Sequence, residues 1–342
     1  MDFFMKAAVL KEKNIFEIED IKKPELEGKG ALIRVLGCGL CGSDIVKIKT
    51  AMAKEGSILG HEIVGIIEQI QSETDFEVGD KVVLGHHVPC FNCEFCKGGS
   101  FSMCKTFKKT NIKPGGFCEY LKVSEAHLKN TVCKVPENMS DIVASFTEPL
   151  ACCIRAIKRA SIQKNDTVLI IGLGSIGLLM GQAAQVYGAK VIGCDILQDR
   201  LSMAKKLGFN ETILFQSNET TSDLLKKKMH ALSGVDKVIL TAGNDNSIAF
   251  ALKSIRDGGD IVIFASVKSN DKGFSNNEIY YRELSIKASY SPTPADIKES
   301  FSLLKDGKIN VEHITEVYDF KDLNQAVSDF VSNKILKAYI KI

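Results

Sequence analysis

The sequence has almost no excess of charge of either sign. Its 342 residues carry 44 lysines and arginines against 42 aspartates and glutamates, a formal net charge of +2. Binding to nucleic acid or to an anionic membrane depends on a basic field, which a balance this even does not supply. The sequence therefore predicts neither a nucleic-acid partner nor a membrane partner.

Long apolar runs are missing as well. No run reaches the roughly 20 residues that a membrane-spanning helix needs, and residues 1–14 lack the apolar core of a signal peptide. No internal repeat or low-complexity segment is visible.

The eleven cysteines are an odd number. In a sequence without a signal peptide, they favour metal thiolates in a reducing compartment over disulfides. We expect a cytoplasmic protein.

Length and patterning predict two domains, since 342 residues are too many for one ordinary core. Residues 1–150 contain many short β-type runs broken by glycine, typical of a small, partly barrel-like β domain. Residues 151–287 alternate between helical and strand patterns, which indicates a doubly wound parallel sheet. These patterns include a helix over 222–232, a turn at 257–259 and a strand from 261. A helical pattern also covers 141–160, and residues 291–294 begin a helix. The closing strand, 337–342, has no sheet of its own. We therefore expect residues 288–342 to return to the first domain.

The stretch 167–195 is the strongest single signal. An apolar strand is followed by Gly172, Gly174 and Gly177 at G-x-G-x-x-G spacing, then by a helix and a second strand that ends on Asp195. The glycines allow a tight turn and a close approach of backbone amides to a pyrophosphate, and Asp195 is placed to accept the ribose hydroxyls. A 2′-phosphate would meet a like charge there, so the pattern predicts NAD and not NADP. Further candidate cofactor contacts are Ser175, Ile176 and Arg200.

Four cysteines lie close together in the first domain. Cys90, Cys93, Cys96 and Cys104 form C-x2-C-x2-C-x7-C, and the pair Gly98-Gly99 lets the chain turn back. Four thiolates match a closed tetrahedral Zn²⁺ site with a structural role. A disulfide pair or an iron–sulfur site is the alternative. His86 and His87 adjoin this lobe, but four thiols already complete a zinc site.

A second set of candidate ligands is dispersed along the chain. Cys41 and Ser43 lie on a glycine-flanked turn, His61 and Glu62 follow about twenty residues later, and Glu148 precedes the nucleotide-binding domain. A thiolate, an imidazole and a carboxylate leave one position of a Zn²⁺ ion open, which is the pattern of catalytic zinc. Each residue alone also fits an ordinary structural role. Together they predict a catalytic metal.

The ordered motifs carry a family resemblance over essentially the whole chain. They are GLCGSD at 39–44, GHE at 60–62, VGDKV at 78–82, the four-cysteine lobe, EPL at 148–150 and GLGSIG at 172–177. On these motifs the sequence resembles the zinc-dependent medium-chain dehydrogenase/reductase superfamily, and within it the polyol (sorbitol-type) branch. The resemblance implies an α/β protein with a GroES-like catalytic domain and a Rossmann domain.

The resemblance also implies chemistry: NAD-linked oxidation of a secondary alcohol, with two zinc ions per chain in a homo-oligomer, either a dimer or a tetramer. The ligand positions fall on Cys41, His61 and Glu62, with Glu148 binding the metal directly or through water, and which acid binds directly is left open. Asp44 would orient His61. Zinc would lower the pKa of the alcohol, and Ser43 would carry the released proton first.

Two other functions are compatible with the sequence. A threonine-type dehydrogenase shares nearly all of these motifs, and a non-enzymatic zinc or redox sensor would explain the cysteines but not the dinucleotide turn. Relatives of both dehydrogenase branches usually carry a histidine two residues after Asp44, where this chain has Val46. The neighbouring Lys47 is either solvated on a surface turn or binds an anionic substrate group such as a phosphate.

Overall fold

The computed structural model describes residues 3–12, 15–229, 234–265 and 273–342. The chain divides into two compact units. The first contains residues 1–151 and 292–342, and the second contains residues 152–291. The sequence prediction placed these boundaries after residues 150 and 287. No helix in the described residues is both long and apolar enough to cross a membrane.

The first unit is built on two β-sheets. Its strands are β1 (Phe4–Leu10), β2 (Phe16–Lys22), β3 (Gly30–Leu40), β4 (Glu62–Ile70), β5 (Lys81–Leu84), β6 (Tyr120–Ser124), β7 (Val132–Lys134), β14 (Thr315–Asp319) and β15 (Lys337–Lys341). A two-stranded antiparallel sheet pairs β1 with β2, and a seven-stranded sheet has the order β14-β15-β3-β4-β5-β7, with β6 also paired to β3. The buried side chains of both sheets form one apolar core.

Short helices connect these strands. The predicted helical stretch from residue 141 to 160 is in fact two helices, because α5 ends before Phe146 and α6 begins after it. The segment from 291 to 294 starts a helix as expected, with Thr293 as its N-cap. The helices are α1 (Gly42–Lys49), α2 (Glu94–Lys97), α3 (Lys105–Lys109), α4 (Glu125–Asn130), α5 (Asp141–Ser145), α6 (Thr147–Arg159, which continues into the second unit), α12 (Pro294–Lys305) and α13 (Leu323–Val331).

The C-terminal strand completes the first unit. β15 lies between β14 and β3, parallel to the former and antiparallel to the latter. Ala338 is opposite Leu40, and Tyr339 is opposite Gly39. The last residues of the chain therefore lie beside the strand that leads into Cys41.

The second unit is a six-stranded sheet in the order β10-β9-β8-β11-β12-β13. All its strand pairs are parallel. The apolar run 168–171 is buried because β8 is a central strand covered on both faces. The strands are β8 (Thr167–Ile171), β9 (Lys190–Asp195), β10 (Glu211–Leu214), β11 (Val235–Leu240), β12 (Ile255–Ile263) and β13 (Ser285–Ala288). The helices are α7 (Ser175–Val186), α8 (Gln198–Lys206), α9 (Asn218–Met229), α10 (Asp245–Ser254) and α11 (Asn276–Tyr281). This is a Rossmann-type α/β fold.

The glycine-rich stretch 257–259 lies within a strand. The sequence predicts a turn at 257–259 and a strand only from 261, which is wrong, because β12 already begins at Ile255. Its pairing with β11 shifts between Val235 and Lys237, so the glycine-rich stretch is a bulge inside the strand, with Gly258 at φ +68°. The helix predicted over 222–232 matches α9 as far as Met229, and residues 230–232 of that prediction lie outside the described residues.

Candidate zinc and dinucleotide sites

The four cysteines of the lobe meet at one point. The Sγ atoms of Cys93 and Cys96 are 3.5 Å apart, as are those of Cys90 and Cys104, while Cys90 and Cys96 are 4.0 Å apart. Four sulfurs at about 2.3 Å from a tetrahedral Zn²⁺ would be about 3.8 Å from one another. These separations fit a zinc site and are far longer than the roughly 2.0 Å of a disulfide bond.

Two thiols of this lobe, Cys96 and Cys104, have pKa values shifted in opposite directions. Burial, together with the neighbouring thiols, raises the pKa of Cys96 to about 12. Burial also opposes ionisation of Cys104, but backbone hydrogen bonds near Cys90 and Phe107 outweigh it and lower that pKa to about 6. The lobe has only a minimal apolar core around Phe107. The geometry and charge of the cluster therefore suit a structural Zn²⁺.

A second cluster joins Cys41, His61 and Glu62, whose ligand atoms all lie within 4.8 Å of one another. The sequence predicts that Cys41 lies on a turn. In the structure it is instead the N-cap of α1, directly after β3. Asp44, at the third position of this helix, accepts a hydrogen bond from the Cys41 N–H. The strand end and the helix cap together fix the thiol at the edge of the sheet.

His61 and Glu62 share the cluster although they are adjacent in sequence. Side chains of neighbouring residues in an extended strand point to opposite faces, so a local bend is needed. Gly60 supplies it with φ +88°, a conformation that favours glycine, and β4 begins only at Glu62. A Cβ atom on Gly60 would lie 2.9 Å from the sulfur of Cys38. The bend therefore depends on glycine for space as well as for conformation.

Asp44 lies beside the imidazole, as the resemblance implies. Its Oδ1 is 3.3 Å from His61 Nδ1 and 3.9 Å from the ammonium of Lys47. The other ring nitrogen, Nε2, is thus left for a metal. Burial lowers the pKa of His61, but the charges of Asp44 and Cys41 outweigh burial and hold that pKa well above its ordinary value.

Among the described residues, the cluster of candidate metal ligands contains Cys41, His61 and Glu62 but not Glu148. It is buried in the first turn of α6, and its Oε1 is 3.6 Å from His86 Nδ1. The ring of His86 lies in turn 4.7 Å from the ring of His61. Burial and the charge of His61 hold the pKa of His86 well below its ordinary value. Sequence proximity associated His86 with the cysteine lobe, whereas the structure places it between His61 and Glu148.

Lys337 was not among the predicted site residues, yet it reaches the same cluster. Its ammonium forms an ion pair with Oε2 of Glu62, and both side chains are almost completely buried. The other oxygen of Glu62, Oε1, is buried without a hydrogen-bond partner among the residues described. A buried carboxylate oxygen in this state fits a ligand to a metal ion.

Ser43 lies in the first turn of α1, next to the thiol. Its hydroxyl is 3.4 Å from the sulfur of Cys41, toward which it donates a weak hydrogen bond, and the residue is exposed. A hydroxyl with one side on the cluster and the other in water can carry a proton between the two.

The glycine turn of the second unit has the shape that a pyrophosphate needs. Gly172 has φ +92°, and a Cβ on Gly177 would lie 1.9 Å from the carbonyl oxygen of Gly172. The hydroxyl of Thr241 donates to that carbonyl at 2.6 Å and fixes the turn. Gly174 is the N-cap of α7, so Ser175 and Ile176 present their backbone N–H groups at the start of a twelve-residue helix.

Asp195 is held at the end of β9 by two backbone donors. The N–H of Leu173 donates to Oδ2 at 2.6 Å, and the N–H of Leu197 donates to Oδ1 at 2.9 Å. Arg200 lies beside the same turn, since a Cβ on Gly174 would be 3.3 Å from its Nη1. The turn therefore carries a fixed anionic group with a cation close by.

Comparison with known proteins agrees with both units. Residues 27–137 match the alcohol dehydrogenase GroES-like domain, and residues 175–306 match the zinc-binding dehydrogenase domain. Probable D-xylulose reductase A of Aspergillus clavatus is 31% identical, over 95% of this chain and 93% of the relative. Sorbitol dehydrogenase of Bacillus subtilis is 30% identical, over 98% and 97%. An alcohol dehydrogenase of Escherichia coli CFT073, solved with NADH, superposes with a TM-score of 0.87, at 25% identity and 100% coverage of both chains.

These similarities define the class. The chain belongs to the zinc-dependent medium-chain dehydrogenase/reductase superfamily and, within it, to the polyol dehydrogenase branch. It is an alcohol dehydrogenase that acts on a small-molecule alcohol with Zn²⁺ and NAD as cofactors. The family and cofactors predicted from the sequence motifs are confirmed.

Proposed function

We propose that this enzyme oxidises a secondary hydroxyl of a polyol, sugar or sugar-alcohol phosphate to a ketone and transfers the hydride to NAD. The observation that carries the proposal is the cluster of Cys41, His61 and Glu62 in a chain that also has a dinucleotide turn. The similarity to proteins named sorbitol dehydrogenase and D-xylulose reductase supports a polyol as substrate.

In this proposal Cys41, His61 and Glu62 hold the catalytic Zn²⁺, and the four-cysteine lobe holds a second, structural ion. When bound, the catalytic ion supplies a Lewis acid that lowers the pKa of the substrate hydroxyl. Asp44 holds the imidazole of His61 in place. Glu148, which lies beside His86, would bind the catalytic ion directly or through a water molecule.

The proton leaves through Ser43 in this scheme. Its hydroxyl lies beside Cys41 and is open to solvent. Val46 carries no proton, so a relay along α1 cannot extend past Ser43. Water or a cofactor hydroxyl would therefore take the proton from the Ser43 Oγ.

A substrate panel tests the proposal. Sorbitol and xylitol should reduce NAD, and L-threonine should not. Removal of zinc with a chelator should abolish the activity, and added zinc should restore it. A reaction confined to L-threonine would establish the threonine-type alternative. Zinc binding with no NAD reduction by any alcohol would favour a sensor.

Lys47 gives the proposal a finer prediction about substrate charge. The residue lies in α1 and not on a surface turn, and its ammonium is 3.9 Å from Asp44, with 40% of the side chain exposed. An ammonium so close to the cluster can bind a phosphate on the substrate. We expect Lys47→Met to raise KM for sorbitol 6-phosphate at least ~10-fold more than for sorbitol, because only the former loses a charge-assisted hydrogen bond.

Lys49→Met is the matched control, since it removes the same charge from an exposed site on the same helix. It should leave both KM values nearly unchanged. If the enzyme acts on neutral polyols alone and Lys47→Met has no effect, then Lys47 is a solvated lysine and the phosphate proposal is wrong.

We also propose a homo-oligomer, either a dimer or a tetramer, that works in the cytoplasm. Tyr280 and Tyr281 are 76% and 79% exposed, and large exposed aromatic side chains side by side are typical of surfaces that bind other proteins. The eleven cysteines are all free thiols, and the five that lie in the two candidate metal sites, four in the lobe and Cys41, need to stay reduced to bind zinc.

A further inference from the structure

Lys337 is a charged residue at a core position of a β-sheet. The next three residues of β15, Ala338, Tyr339 and Ile340, are buried as well, and only Lys341 is exposed. Lys337 itself is only 3% exposed, and Glu62, with which it pairs, is 0% exposed. Its ammonium also lies 5.7 Å from the centre of the Phe146 ring.

The register of the sheet explains how the two side chains meet. β3 lies between β15 and β4, and Gly39 of β3 is opposite both Tyr339 and Glu62. A Cβ on Gly39 would be 2.0 Å from Oε2 of Glu62. The missing side chain therefore lets the carboxylate lie across β3 and reach the strand that carries Lys337.

Stability alone does not account for this pair. Two buried charges lose much of their hydration, and apolar side chains of similar size commonly stabilise a core as well or better. Moreover, one member of the pair, Glu62, is also a residue of the candidate metal site. The ion pair with Lys337 involves Oε2 of Glu62, while Oε1 has neither an ion pair nor a hydrogen bond in the described part of the chain.

We propose that Lys337 is a positioning residue that restricts Glu62 to one oxygen as a metal ligand. The inference rests on the proposed function, in which Cys41, His61 and Glu62 hold the catalytic zinc. A carboxylate can bind a metal through one oxygen or through both. By holding Oε2, the ammonium leaves Oε1 for the metal, and the fourth coordination position stays free for the alcohol.

The test is the rate of zinc release to a chromogenic chelator from the purified, fully loaded enzyme. The release phase of this site is identified as the one that a Cys41→Ser variant lacks. Lys337→Met should slow that phase at least ~10-fold, because Glu62 then gains a second bond to the metal. A merely structural ion pair predicts the opposite result, faster release from a loosened site.

Replacing the zinc with cobalt(II) gives an independent measurement of the number of ligand atoms at the site. The visible absorption of the wild-type site should be strong, as for a four-coordinate ion, and Lys337→Met should weaken it by adding a ligand atom. Lys337→Arg keeps the charge and should resemble the wild type. Lys341→Met, on the exposed end of the same strand, should change neither the spectrum nor the release rate.

Glu62→Gln keeps the test decisive if Lys337→Met alone folds poorly. In the Glu62→Gln background no carboxylate remains to be held, so adding Lys337→Met should leave the release rate of this zinc unchanged. Unchanged or faster release in the single variant, with the wild-type site binding zinc, would overturn this inference alone. If Cys41→Ser removes no zinc phase at all, the proposed function itself fails.

Discussion

Cys41→Ser is expected to lower kcat/KM at least ~100-fold while leaving the fold intact, because a hydroxyl is a far weaker zinc ligand than a thiolate. The fold should survive because Cys41 is also the N-cap of α1, and serine is among the best residues for that position. Steady-state NADH formation and thermal unfolding, measured on the same preparation, give the two results together.

Two other cysteines are the controls for this prediction. Cys133→Ser makes the same change at a half-buried thiol outside both clusters and should leave turnover nearly unchanged. Cys96→Ser should instead lower the unfolding temperature and the yield of soluble protein, since the lobe around Phe107 has almost no core without its ion. Full activity in Cys41→Ser would remove this residue from the catalytic site.

Cofactor preference should depend on Asp195. The wild-type enzyme is expected to prefer NAD over NADP by at least ~100-fold in kcat/KM, because a 2′-phosphate beside a fixed carboxylate leaves two like charges close together. Two backbone N–H groups hold that carboxylate, so it cannot easily turn away. Asp195→Ala should narrow the gap, since Arg200 lies beside the same turn and can pair with the phosphate. Kinetics with both cofactors measure the ratio.

A pair of variants separates charge from shape at this position. Asp195→Asn keeps the size of the side chain and an oxygen that can accept a backbone hydrogen bond, and it should narrow the gap nearly as much as Asp195→Ala. Asp199→Ala removes an exposed acid four residues further on and should leave the ratio unchanged. Equal use of NAD and NADP by the wild-type enzyme would show that Asp195 does not select the cofactor.

The sequence was sufficient to predict those features that depend only on residues close together in the chain. The strand, glycine turn, helix and acid of 167–195 follow one another within thirty residues, and each has a fixed backbone requirement. The four cysteines are equally compact. Their ligand geometry is largely set by the spacing of the thiols, so the lobe could be predicted without knowledge of the rest of the fold.

Contacts between distant segments were not predictable in this way. His86 lies close to Glu148, and Lys337 lies close to Glu62, although both pairs are far apart in the sequence. No local pattern specifies such contacts. A lysine in the closing strand gives no sign of burial until the register of β15 against β3 is known. The bulge in β12 was also not predicted. Its glycines carry the same local signal as a turn, and only the pairing with β11 distinguishes the two.

The zinc content of the purified, fully loaded chain tests the central claim most directly. Elemental analysis should give two zinc ions per wild-type chain, one in Cys41→Ser, and two in Cys133→Ser. The ion that Cys41→Ser lacks should be the one whose removal from the wild-type enzyme abolishes NAD reduction by polyols. Fewer than two ions in the wild type, or an unchanged count in Cys41→Ser, would contradict the assignment of a catalytic zinc to Cys41, His61 and Glu62.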